Sequence, residues 1–455
     1  MTAETQAETA PRVPDAVDRL AASRLMARLP GAFRTPFALN NLIYFGGNLF
    51  AGIAGFAFQG LLARALGPEG FAEVAPLISL FYLIQIPLFV SMAVAARYTA
   101  PLAADGDNSR VNRAYIDLTR YVSVIGLAGM VLFILASPLL RDFLHLHGLG
   151  SLVILSAAVP LCLLMGVGRG VLQGEQRFLP LTGNFVTYGV TTLCFLPILL
   201  YFKLQALGAV LAINLALVLC NFLAALALRD LPPAAHHQRL RVGSLVRASV
   251  VASAGISVIT LFYNFDVLLA KHFLSVSDAG LYSAMSLLGK ILFFGTISIS
   301  AVMFPRVAAL HARGESAHRT VNLSLGLVAA AGGVVVLAYL LLPKLVIHLL
   351  LRRDEYQALA PYLGLFALAM LGLALSNVLV YYFVAAHKRR FVWGLLVGAL
   401  AFGGLLTAFH GNLGQFTVSV MSAIDLMAVL LLLIYMAERP WSSEATGPQA
   451  LGADA

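Results

Sequence analysis

The sequence predicts an all-α integral membrane protein, with twelve transmembrane helices in two parallel-repeat bundles of six. Three observations carry this reading. Hydrophobic residues make up 60% of the 455 positions and charged residues only 11%, against roughly 25% charged in a soluble domain. Apolar runs of about 20 residues, the length that crosses a bilayer as a helix, recur along the chain, and the second half repeats motifs of the first. Barrel strands are excluded, because they would alternate with a period of two and be far less hydrophobic.

Residues 1–37 form a polar tail carrying Arg12, Arg19, Arg24, Arg28 and Arg34. It lacks the short apolar core and cleavage site of a secretory signal and is expected to stay on the protein. Between 15 and 29, Val17, Leu20, Leu25 and Leu29 lie among arginines, a pattern that suits a short interfacial helix or an unstructured polybasic tail. The N-terminal bundle, 38–228, holds spans near 38–62, 71–95, 118–139, 150–171, 182–201 and 206–228. A linker over 229–249, containing "RDLPPAAHHQRLR", leads to the C-terminal bundle, 250–437. Its spans lie near 250–272, 279–303, 322–343, 362–386, 391–409 and 416–437, and a tail follows over 438–455. Gly46, Gly47, Gly52, Gly55 and Gly60 are expected at close helix contacts or bends. Pro76, Pro87 and Pro160 are expected to interrupt the helix ladder, as hinges or static kinks.

An even number of spans puts both termini on one side. That side carries 22 of the 30 basic residues and the opposite side 7, with Lys290 inside a span, so both termini are expected in the cytoplasm. The net charge of +9 follows from this bias; no basic patch of the kind that reads nucleic acid is present. Cys162, Cys194 and Cys220 sit singly in apolar runs, giving neither a disulfide framework nor a metal cluster. The loops are too short to house a soluble active site.

The repeat aligns "LLARALGPEGFAEVAPL" (61–77) with "LLAKHFLSVSDAGLYSAMSL" (268–287), pairing Arg64 with Lys271 and Gly70 with Gly280. It continues to Arg97 opposite Arg306, and more weakly to "GVLQGEQRF" against "FVAAHKRRF", pairing Arg177 with Arg390. Six spans per copy preserve orientation, so the repeat axis runs along the membrane normal, a geometry in which two bundles can rock about a central cavity.

The stretch "NFDVLLAKHFLSVSDAGLYSAMSLLGK", followed by "VMFPRVAAL", resembles the polysaccharide transporters of the multidrug/oligosaccharidyl-lipid/polysaccharide (MOP) exporter superfamily. That group includes O-antigen flippases. The resemblance implies a V-shaped, MATE-like pair of bundles in the bacterial inner membrane. It implies a lipid-linked oligosaccharide as substrate, moved by alternating access, with polysaccharide polymerase machinery as a partner besides the membrane lipids. No cofactor is expected, and Na+ or H+ is the expected coupling ion.

A sugar-phosphate headgroup needs cations for phosphate and hydrogen-bonding side chains for hydroxyls. Lys290 inside the eighth span, and Arg97, Arg169 and Arg306 at cytoplasmic span ends, are the phosphate candidates. The three arginines serve equally as topology anchors. Asp266, with Asn264 beside it, and Asp425 are intramembrane polar groups of the kind that mark an ion path or a structural ion pair. Asn48, Gln59, Tyr263 and Tyr282 are candidate cavity-lining residues, against their ordinary use in helix packing. A multidrug/cation antiporter of the same superfamily is the second reading. A membrane glycan polymerase or ligase is the third, disfavoured because no nucleophile, base and metal come together.

The topology is testable by labelling intact cells with an impermeant maleimide. Ser277→Cys should react from outside and His237→Cys should not; labelling of position 237 from outside would invert the orientation.

Overall fold

The computed structural model describes residues 36–234 and 243–438, with side chains over 43–234 and 257–438. The segment over 15–29, residues 235–242 of the linker and nearly all of the C-terminal tail lie outside the described residues. Every regular element among the described residues is helical. The first half comprises α1 (Pro36–Ile84), α2 (Ile86–Ala104), α3 (Asn108–Phe143), α4 (Gly150–Ser156), α5 (Ala158–Gly174), α6 (Phe178–Tyr201) and α7 (Gln205–Ala227). The second half comprises α8 (Gly243–Phe273), α9 (Val276–Ala312), α10 (His318–Leu341), α11 (Pro343–Leu351), a 3-10 turn (Asp354–Leu359), α12 (Ala360–Ala385), α13 (Phe391–Ala408) and α14 (Leu413–Ala437).

Ten stretches are long and apolar enough to cross a membrane. One of them, Ile43–Ala104, contains two passes, and α8 adds a further helix of 31 residues, about 46 Å at 1.5 Å per residue. The expected twelve passes are thus all present. The first two fold back at Gly67, whose φ of 71° is a backbone state that side chains disfavour. Pro68 then opens the returning arm, where its missing amide costs nothing. The second and fourth passes are interrupted at Gln85 and Ala157. Pro87 and Pro160 stand just beyond those turns, as the loss of a ladder donor requires. On α3, Leu132, Leu135 and Leu139 are 66, 71 and 74% exposed, an apolar face suited to lipid tails.

The chain forms two compact units. One contains the chain through Phe58, together with Ile84–Pro138 and Gly148–Ser249; the other contains Gln59–Leu83, Leu139–His147 and the chain from Val250 onward. In the first unit, α5 packs on α2 through Gly166, Gly170 and Gly174, spaced four residues apart on one face. A methyl added to any of them would run into Leu88 and Ser91, Met92 and Ala95, or Ala96 and Thr99 respectively. Without a hydrophobic force between helices in lipid, such close backbone approach is what holds them together. The glycines singled out in the first span behave otherwise. Gly47 does pack on Thr182, but a methyl at Gly46, Gly52, Gly55 or Gly60 meets open space.

In the second unit, α12 is the central helix. Phe366 and Phe383 on α12, Tyr282 on α9, and Phe416 and Tyr435 on α14 are fully buried, with the Tyr282 ring edge-on to Phe416 at 4.9 Å. Ser275 caps α9 by accepting from the Asp278 amide at 3.2 Å, and Asn412 caps α14 by accepting from the Gln415 amide at 2.9 Å. Each cap satisfies an otherwise orphaned donor.

One substitution at two glycines should act with opposite signs. Gly170→Ala overpacks the α2–α5 contact and should destabilise by about 1–3 kcal/mol. Gly52→Ala gains helix propensity and should stabilise by up to about 1 kcal/mol. Thermal unfolding in detergent, followed by circular dichroism, would show the two midpoints moving apart.

Candidate functional site: a buried cation in each unit

In the first unit three helices position Arg169. It lies on α5, is buried, and donates through Nε to Asn184 Oδ1 on α6 at 2.7 Å. Asn184 is itself fixed by donating through Nδ2 to the Cys220 carbonyl on α7 at 2.7 Å, while the Cys220 thiol donates to the Asn184 carbonyl. The guanidinium carbon stands 4.1 Å from the centre of the Phe185 ring, a cation–π contact. Tyr44 packs edge-on against the same ring at 5.7 Å. No carboxylate among the described residues pairs with Arg169. A topology anchor would reach for water; this guanidinium is instead enclosed and oriented.

In the second unit Lys290, on α9, is also buried. Its Nζ lies 5.8 Å from the centre of the Tyr263 ring, and no ion pair joins it to Asp266 among the described residues. Asp266, on α8 and 1% exposed, is answered by hydroxyls. Its Oδ2 accepts from Tyr282 at 3.1 Å and from Ser286 at 2.8 Å, two residues one turn apart on the same face of α9. Its Oδ1 is buried without a partner among the described residues. Asn264 donates to the Thr260 carbonyl at 2.8 Å, and its own buried Oδ1 is likewise unanswered there.

The remaining candidates fall elsewhere. Asp425 is on the exposed side of α14, where its Oδ1 would crowd a methyl at Gly372. Arg97 and Arg306 are both exposed, at matching positions of the repeat, and neither contacts the buried cations. Asn48 is exposed. Gln59 donates to the Tyr82 hydroxyl at 3.1 Å, and Tyr263 packs among Phe293 and Phe294 while flanking Lys290. The sugar-lining reading of Tyr282 gives way to another: the ring is fully buried and its hydroxyl is committed to the carboxylate. Asn184, Phe185 and Ser286 were not singled out from sequence, although the one-turn spacing of Tyr282 and Ser286 was a usable signal.

A family model described as "Polysaccharide biosynthesis protein" matches residues 37–311. No curated protein sequence matches the chain significantly. Among solved structures, an inward-facing multidrug resistance MATE family transporter of the MOP superfamily is similar at TM-score 0.72 and 13% identity, over 87% of this chain and 97% of that one. An outward-facing structure of such a transporter gives 0.60 at 15% identity, over 88% and 94%. The lipid II flippase MurJ, in an inward closed conformation, gives 0.65 at 13% identity, over 88% and 87%. At these identities the likeness establishes the fold that these transporters share.

If Asp266 and Lys290 act separately, a double-mutant cycle between Asp266→Asn and Lys290→Gln should give a smaller coupling than one across a direct hydrogen bond to Asp266. The cycle between Asp266→Asn and Tyr282→Phe should instead give about 1 kcal/mol or more, as for a direct hydrogen bond to a charged group. Unfolding of the purified protein in detergent would supply both values.

Proposed function

Because the chain belongs to the polysaccharide biosynthesis protein family, we propose that it is a flippase for polyprenyl-pyrophosphate-linked oligosaccharides. It works by alternating access in the bacterial inner membrane, with both termini cytoplasmic, and hands its cargo to polysaccharide polymerase machinery. The observation that carries the reading is Arg169, a guanidinium enclosed by three helices with no carboxylate among the described residues to neutralise it. A charge taken out of water without a counter-ion costs several kcal/mol, and arginine does not escape by losing its proton. An anionic ligand removes that penalty. Lys290 places a second cation in the other unit, suited to phosphate, while Gln59 and Tyr263 suit sugar hydroxyls and ring faces.

Asp266 is assigned to coupling. Its Oδ2 is held by two hydroxyls, and the buried Oδ1 is the atom that H+ or Na+ would satisfy. Antiport of cationic drugs, the alternative within the superfamily, is disfavoured by the same electrostatics: each unit would present a buried cation to a cationic substrate.

Native mass spectrometry tests the reading directly. The purified protein should retain undecaprenyl pyrophosphate and release phosphate-free undecaprenol. Arg169→Gln and Lys290→Gln should each weaken retention by roughly 10- to 100-fold, the worth of one charge-assisted contact. Equal retention of the two lipids would refute an anion site.

A further inference from the structure

The break at Gly67 leaves the last carbonyls of the first arm of α1 without donors from their own helix. Two residues far along the chain supply them. Arg353 donates through Nε to the Arg64 carbonyl and through Nη2 to the Ala65 carbonyl at 2.9 Å. The Tyr356 hydroxyl donates to the Ala63 carbonyl at 3.0 Å. The exchange also runs in reverse. Arg64 donates through Nε to the Leu350 carbonyl at 2.6 Å and through Nη2 to the Leu349 carbonyl at 2.7 Å, the open end of α11. The C-terminus of the first arm is therefore capped by an arginine just beyond α11, and the C-terminus of α11 by an arginine of the first arm.

Two more contacts close the same corner. Lys271 donates to Glu73 at 2.6 Å, with its side chain only 2% exposed. Gly280 lies so tightly against the Pro68 carbonyl that a methyl does not fit. All these residues belong to the second unit, and Arg64, Lys271 and Arg353 are three of the seven basic residues on the sparse side of the membrane. They are used as cross-links rather than as topology signals.

We propose that this corner is a latch on the outer face, formed when the outer ends of the first and second passes dock on α8, α9, α11 and the 3-10 turn. Its opening is the step that frees the exit path; this role rests on the alternating-access reading above. The chemistry suits reversibility. The arginines are partly exposed, so their broken bonds are replaced by bonds to water at a modest net cost. The enclosed Lys271–Glu73 pair is the stiffer component, because separating it strands charge in low dielectric.

Double electron–electron resonance tests the latch without any lipid-linked substrate. Spin labels at Glu69→Cys and Ser277→Cys, on a background with Cys162, Cys194 and Cys220 replaced by serine, should give a predominantly short distance in nanodiscs. Arg353→Gln and Lys271→Gln should each raise the ratio of long to short distances about tenfold. The charge swap Glu73→Lys with Lys271→Glu should restore the short distance. Should the arginine variant not fold, Gly280→Ala changes no charge and carries the same expectation. Distance distributions unchanged in all folded variants would overturn the latch. Export of a fluorescent lipid-linked saccharide by the same variants separates the two ideas. Opening without any saccharide transport, in the variants and in the parent alike, removes the flippase reading and leaves the latch standing.

Discussion

A polar group carried to bilayer depth has no water to bond, so its partner must come from another helix or from a ligand. Most of the structure follows from that constraint. The backbone satisfies it by being helical across every pass. Asp266 satisfies it on one oxygen with two hydroxyls from a single turn of α9. Arg169 satisfies it only in part: Asn184 and Phe185 orient the guanidinium, yet neither cancels its charge. The difference between an answered and an unanswered group is what separates packing from function in this chain.

The two buried cations are not copies of each other under the internal repeat. The repeat pairs Arg97 with Arg306, and both are exposed; Arg169 and Lys290 lie at unrelated positions. The two units therefore hold different chemistry, an arginine oriented by Asn184 and Phe185 in the first and a lysine with Asp266 near it in the second.

Span number, helical class and family were legible because they depend on hydrophobic run length and on motifs local in sequence. The intramembrane polarity of Asp266 and Lys290 was legible for the same reason. Partners were not, since they depend on which helix faces are apposed. Arg169 read as either a phosphate candidate or a topology anchor because it lies at a span end; Asn184 and Phe185, which orient it, come from the next helix. Gly166, Gly170 and Gly174 carry the close contact, whereas in the glycine-rich first span a methyl at Gly46, Gly52, Gly55 or Gly60 meets open space. Composition reports how many small residues a helix has, but only the three-dimensional arrangement reports which of them touch anything.

The exchanged arginine caps also bear on how the protein is made. The Arg64 carbonyl and the side chain that caps it are separated by 289 residues. At synthesis rates of about 5–20 residues per second, roughly 15–60 seconds pass between their emergence from the ribosome. During that interval the first hairpin sits in the membrane with its terminal carbonyls answered only by water or lipid headgroups. The earliest part of the chain to insert is therefore among the last to reach its final bonding, and a truncation before residue 353 would leave the first turn of the protein permanently unfinished.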